Sequence, residues 1–485
     1  MFLGLDIGTS AIKAVLVDGD QNVVATAETP LAISRPHPGF SEQNPEDWWQ
    51  ATLGSIDRLK VDHPAALSAV RGIGLSGQMH GAVLLDTAGE VLRPAILWND
   101  GRASAECREL EERFPALHAV AGNLAFPGFT APKLLWVRKH EPEIFARTAK
   151  VLLPKAYVGY RLTGEMVEEM SDASGTLWLD VGARDWSDAA LEATYLTRAH
   201  MPRLVEGSAA AGRIHADLAA RWGMASPPVL AGGAGDNAAG AVGLGAIHAG
   251  NAFVSLGTSG VLWATTDRYA PNPQSSVHAF CHAIPATWHQ MGVILSAASA
   301  LGWWSGAAKA TPADLLAPLG ERPAAPSTAT FLPYLSGERT PHNDTAIRGA
   351  FIGLDHDTSR EVLTQAVLEG VAFAFRDCLD ALSAAGTRLE EADVIGGGSR
   401  SRFWIAVLAS VLGLPLNRIE DGERGGAFGA ARLARMAATG ESPAAICLPP
   451  RRLETILPDP ELQHAYAERH ALYRALYPAL KGVTS

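Results

Sequence analysis

The sequence predicts an α/β fold made of two related halves, and two observations carry that prediction. Short apolar runs rich in Val, Ile and Leu alternate with stretches of helical periodicity, the pattern of strands crossing over through helices. The segment Phe2-Leu3-Gly4-Leu5-Asp6-Ile7-Gly8-Thr9-Ser10 is also echoed half a chain later by Phe253-Val254-Ser255-Leu256-Gly257-Thr258-Ser259-Gly260. Each is an apolar run, a Gly-Thr-Ser turn and a second apolar run, as a duplicated domain would give. The boundary is placed near residue 247, giving halves 1–247 and 248–485.

Taken in order, residues 2–5 and 11–17 read as the two strands of a hairpin joined by the turn at 6–10. A helix follows, with Asn44 as its cap, Pro45 at its first position and Glu46 and Asp47 at the positive end of its dipole. Trp49, Thr52, Leu53, Ile56 and Leu59 share one face of it. A buried strand at 72–75 runs into Ser76-Gly77-Gln78-Met79-His80-Gly81. Two further strand–turn–helix units pass through Gly232-Gly233-Ala234-Gly235-Asp236-Asn237 and through Gly396-Gly397-Gly398-Ser399, the second leading into a helix with Trp404, Val407, Leu408 and Val411. Residues 462–480 form an amphipathic helix whose apolar face would suit a homodimer.

Composition narrows the function. At about 100–200 residues per domain, 485 residues allow two to four domains. A net charge of −11 with no Lys/Arg cluster argues against nucleic-acid and anionic-membrane partners, and leaves room for a small anionic substrate. Cys107, Cys281, Cys378 and Cys447 are scattered, which suits a reducing cytoplasm and offers no zinc knuckle. An acid at position 6 and no basic leader argue against a signal peptide. Residues 237–266 hold no Asp, Glu, Lys or Arg, but six glycines interrupt them, so they read as a buried joint rather than a membrane span.

Several nucleotide signatures are missing. No Gly-Lys dipeptide exists, so there is no Walker A loop. The GxGxxA of Gly233 to Ala238 lacks the acid about 20 residues on that a dinucleotide site requires. The Gly-Thr-Ser turns instead suit phosphate, because successive backbone N–H groups form an anion nest and the hydroxyls add donors. Thr9, Ser10 and Lys13 make one such region, and Gly257, Thr258 and Ser259 the other. Asp6, at a strand end, is placed to hold Mg²⁺ through water. Asp236 suits either a helix cap or a general base at a helix start. Met79 and His80 follow a buried strand and could line a polar pocket with Trp98.

Together these motifs resemble the FGGY carbohydrate kinases. The likeness spans the whole chain and rests on Asp6-Ile7-Gly8-Thr9-Ser10 with Lys13, Ser76-Gly77-Gln78-Met79-His80-Gly81, Leu97-Trp98-Asn99-Asp100, Lys133-Leu134-Leu135-Trp136, Ser171-Asp172-Ala173-Ser174-Gly175-Thr176, Gly235-Asp236-Asn237, the second Gly-Thr-Ser turn, Tyr334-Leu335-Ser336-Gly337-Glu338-Arg339-Thr340-Pro341 and Gly396-Gly397-Gly398-Ser399. It implies two actin-like (ribonuclease-H-like) ATPase domains with the active site in the cleft between them. It implies ATP as phosphoryl donor, Mg²⁺ near Asp6 and Asp236 as catalytic base. Met79, His80, Asn237 and Trp98 become sugar contacts. The two Gly-Thr-Ser turns take the phosphates, and Gly397, Gly398 and Ser399 take the adenosine side. The Gln-Met-His triplet points to members acting on a ketopentose, D-xylulose, with ribulose, glycerol or gluconate as alternative acceptors and a non-catalytic sugar sensor as the alternative role. One departure from the family pattern is Val362, where a polar residue usually precedes the equivalent of Leu363 ahead of a helix.

Overall fold

The structure, a computed structural model, describes residues 1–420, 422 and 425–483. In the first half, strands β1 (Phe2–Ile7), β2 (Ala11–Val17) and β3 (Val23–Pro30) precede helix α1 (Pro45–Asp62). Then come β4 (Gly72–Gly77), β5 (Ala210–Arg213), β6 (Val229–Ala231), β7 (Ala234–Gly235) and helix α2 (Asp236–Leu244). The second half begins with β8 (Ala252–Leu256), β9 (Gly260–Thr266), β10 (His278–Cys281), β11 (Trp288–Ile294) and α3 (Ala298–Ala308). It continues with α4 (Arg360–Ala384), β12 (Ala392–Ile395), α5 (Arg402–Leu412), β13 (Leu416–Ile419), α6 (Gly425–Thr439), β14 (Arg452–Ile456) and α7 (Pro460–Leu480).

Two seven-stranded sheets result, ordered β5-β6-β4-β1-β2-β3, with β7 also on β4, and β10-β11-β9-β8-β12-β13-β14. Within them β3-β2-β1-β4-β6 and β11-β9-β8-β12-β13 have the same order and the same directions. Each is an antiparallel three-strand meander whose first strand pairs in parallel with a fourth, and that with a fifth. The duplication is the one expected from the repeat, the layout is the ribonuclease-H-like one that the resemblance implies, and both Gly-Thr-Ser turns sit at equivalent hairpin tips.

The α1 cap forms as expected. The Asn44 side chain accepts from the Glu46 N–H, and Trp49, Thr52, Leu53, Ile56 and Leu59 are buried together with Trp48. Ser359 caps α4, so Val362 lies inside that helix rather than ahead of it, half-buried against the second core. Helix α7 turns Leu462, Tyr466 and Tyr473 into the same core, so most of the face expected to serve a homodimer is covered within the chain. No helix among the described residues is long and apolar enough to cross a membrane.

Helix α6, late in the chain, packs on the first sheet and against α2 rather than on the second sheet. Glycines make this approach possible. A Cβ on Gly74 would fall 1.9 Å from the Ala430 carbonyl oxygen, and one on Gly429 1.8 Å from that of Ala239. The start of α6 thereby reaches the end of β1, where a Cβ on Gly426 would meet the Ser76 hydroxyl.

Candidate active site

Strands β1, β4 and β7 run parallel, with Asp6 paired to Ser76 and Ser76 to Ala234, so their carboxyl ends carry Asp6 and Asp236 to one edge. Helix α2 begins at Asp236, with Gly235 in the capping position. Asp236 is therefore the first helical residue and not the cap. Its Oδ1 accepts from both the backbone N–H (2.7 Å) and the side-chain amide (3.0 Å) of Asn237, and Oδ2 has no partner among the described residues. The side chain retains exposed surface, yet the surrounding protein desolvates the carboxyl and pushes its pKa up to about 6. Desolvation is the larger cause and the charge of Asp6 the second, while the Asn237 hydrogen bonds oppose both.

Asp6 accepts from the Ser76 hydroxyl on Oδ1 (2.8 Å). Its carboxyl is also held above the usual range by burial, with Ser76 and Lys13 pulling the other way. Lys13 stands directly opposite Asp6 in the β1–β2 ladder. Two neighbouring acids, each resisting ionisation and each with one oxygen free, form a donor set that a hard divalent cation suits.

His80 has a left-handed backbone (φ 70°) and is buried enough to hold its pKa near 3, so the ring is neutral. Its Nδ1 faces the Gly175 carbonyl at 2.7 Å. A carbonyl only accepts, so Nδ1 carries the proton and Nε2 presents a lone pair. The strained turn is fastened by Thr130 and Lys133, which both donate to the His80 carbonyl. Met79 packs against Gly235, where a Cβ would lie 2.9 Å from its Cγ. Trp98 is 49 % exposed, and its Nε1 donates to the Thr9 hydroxyl, which itself donates to Gln78 Oε1. The Thr9 hydroxyl is thus tied to the pocket wall. Ser10 lies exposed beside it at the hairpin tip.

A cavity of about 270 Å³ joins His80, Trp98, Phe126 and Phe129 of the first half to Leu295, Glu338 and Arg339 of the second. In the second half the Gly257 and Thr258 carbonyls accept from the start of α3, and Thr258 and Ser259 are exposed. Gly396 abuts Gly257, so this turn and the Gly397–Arg400 turn adjoin. Gly397 and Gly398 line a largely apolar cavity of about 660 Å³ with Ala298, Leu301, Gly302 and Leu316. Ser399 does not line it; its hydroxyl donates back to the Gly396 carbonyl and shapes the turn.

The predicted residues therefore gather in two groups. Asp6, Thr9, Ser10, Lys13, Met79, His80, Trp98, Asp236 and Asn237 lie at the ends of the first sheet, and Gly257, Thr258, Ser259, Gly397, Gly398 and Ser399 at the end of the second. Sequence reasoning missed Ser76, which fixes Asp6, and the buried group behind Asp236. There Glu169 accepts from the Ser171 hydroxyl, and Ser171 Oγ in turn accepts from the Gly235 N–H. Lys155 sits 2.6 Å from Glu168 and 3.6 Å from Asp172. Ser171 and Asp172 stood in a motif read only for family likeness. Lys155 and Glu168 had no local signal.

Residues 1–243 match the N-terminal domain of the FGGY family of carbohydrate kinases and residues 252–438 its C-terminal domain. Xylulose kinase of Escherichia coli (strain K12) is 50 % identical over 486 aligned residues, covering 99 % of each chain. Among solved structures, a xyloylose kinase from Brucella ovis superposes with a TM-score of 0.97 at 56 % identity, covering 99 % of both chains. A xylulose kinase from Rhodospirillum rubrum does so with 0.92 at 30 %, covering 100 % of this chain and 99 % of the other. Matched by both family domains along most of its length and by full-length relatives, the chain belongs to the FGGY family of carbohydrate kinases.

Proposed function

We propose that this protein transfers the γ-phosphoryl group of ATP to the terminal hydroxyl of D-xylulose. The observation that carries the chemistry is Asp236, a carboxylate at the start of α2 with a raised pKa and with Oδ2 unpartnered among the described residues. The full-length likeness to xylulose kinases supports the acceptor.

In this reading Asp236 Oδ2 takes the hydroxyl proton as the oxygen attacks, while Asn237 holds Oδ1 and so aims the free oxygen. Neutral His80 accepts a sugar hydroxyl at Nε2, and Met79 and Trp98 wall the acceptor in. The hairpin tips at Thr9, Ser10 and Lys13 and at Gly257, Thr258 and Ser259 bind the phosphates. Gly397 and Gly398, with Ser399 shaping their turn, let adenosine lie against backbone. Asp6 would hold Mg²⁺, which when bound neutralises phosphate charge. Labour divides near residue 247: the first half binds the acceptor and carries the base, and the second holds the nucleotide. Four buried free thiols fit a cytoplasmic setting.

The test is ADP release with Mg-ATP and D-xylulose, D- and L-ribulose, glycerol, gluconate or no sugar. Turnover greatest on D-xylulose over a low sugar-free background is expected. Preference for another acceptor would overturn the substrate, and equal release with and without every sugar would overturn the kinase reading.

A further inference from the structure

Arg339 enters the acceptor cavity from the second half. Its guanidinium lies 4.7 Å over the ring of Phe126, which belongs to the first half, so it spans the joint between the two. Among the described residues it forms no ion pair, and the hydrogen bond its side chain makes is a long one, 3.4 Å to His278 Nε2. His278 Nδ1 faces the Asn123 amide oxygen at 2.8 Å, so Nδ1 carries the proton and Nε2 accepts. A cation taken out of bulk water with one weak partner is costly, and its remaining N–H groups form a fork suited to adjacent oxygens.

The backbone that carries this side chain is held in place. Glu338 Oε1 accepts from the backbone N–H groups of Leu295 (2.9 Å) and Arg339 (2.8 Å). Thr340 pairs twice with Val293 at the end of β11, its N–H donating to the carbonyl and its hydroxyl accepting the N–H. Met79, which packs on Gly235 next to Asp236, directly precedes His80 of the first-half wall, and Arg339 comes from the wall contributed by the other half.

We propose that Arg339 is a specificity-determining residue, donating to the oxygens at the end of the acceptor remote from the hydroxyl that receives the phosphoryl group. This rests on the sugar-kinase reading above. Neutral His80 then accepts a hydroxyl where Arg339 donates to one, so both sexes of hydrogen bond are supplied along a polyhydroxy chain. Because the guanidinium belongs to the second half, a long acceptor ties the halves together and a short one does not.

The experiment compares wild type with Arg339→Met, which keeps an apolar stem against Phe126, and with Arg339→Lys. The KM for D-xylulose should rise about 10- to 100-fold in Arg339→Met, as for loss of a charged hydrogen bond. At saturating D-xylulose kcat should fall less than KM rises, because the contact is made with the acceptor before and during transfer alike. A KM within about twofold of wild type overturns the assignment, and so does a loss confined to kcat. Should Arg339→Met not fold, Arg339→Lys decides by the same two readouts. A wild-type enzyme inert on D-xylulose but active on another acceptor overturns the substrate reading, and this assignment with it.

Discussion

Lowering the pH from 7 to 5 should cost this enzyme about tenfold in kcat/KM through Asp236 alone. With its pKa raised from 3.8 to about 6, the carboxyl is about 90 % ionised at pH 7 and about 10 % at pH 5. At the ordinary value it would remain more than about 90 % ionised at both. Coupled ADP release with both substrates well below saturation reads the group in the free enzyme. The base must be unprotonated, so the limb is lost activity on the acid side. Asp236→Ala should lower kcat by at least about 100-fold, and what remains should lack the limb. The same shift has a stability consequence. Folding favours the protonated acid, so its contribution is complete below pH 3.8 and is lost as pH rises to about 6. Asp236→Asn should therefore melt at a higher temperature than wild type at pH 7, with the difference gone below about pH 4. A flat kcat/KM from pH 5 to 8, or near-normal turnover in Asp236→Ala, would refute the assignment of Asp236 as a base in a desolvated concavity.

Other perturbations are equally direct. Gly74→Ala places a methyl 1.9 Å from the Ala430 carbonyl and must push α6 off the first sheet, costing about 3 kcal/mol by chemical denaturation; an unchanged midpoint would show that the contact yields freely. Lys155→Met leaves Glu168, Glu169 and Asp172 buried without their cation and should cost about 3–5 kcal/mol, an effect that Glu168→Gln in the same chain should partly relieve. His80→Ala should raise the KM for the sugar, and because the wild-type ring is neutral down to about pH 3 it should add no limb near pH 6.5 to the wild-type profile. A step there that vanishes in His80→Ala would contradict the proton placement.

What the sequence determined by itself was whatever local spacing records. The hairpins, the α1 cap at Asn44, the Gly-Thr-Ser repeat and the glycine turn before α5 each depend on residues within a turn or two of one another. Their order along the chain was enough to find the family, and through it to propose roles for Asp6, His80 and Asp236. Tertiary structure alone decided the rest, because those contacts join residues that no local pattern links. Asp236 shifts its pKa first because the fold around it desolvates the carboxyl, and second because β1 and β7 flank β4 and bring Asp6 near. Local sequence left it open whether Asp236 was a cap or a base, and the backbone made Gly235 the cap. Helix α6 lies against the first sheet because Gly4, Gly72 and Gly74 leave no side chain in the way, and against α2 because Gly429 does the same there, about 350 residues along the chain from Gly74. In sequence Arg339 stood only in a stretch read for family likeness, with no role attached to it. Only the packing of one half against the other leaves it in the cavity with one long hydrogen bond among the described residues, a setting in which a cation favours an oxygen partner.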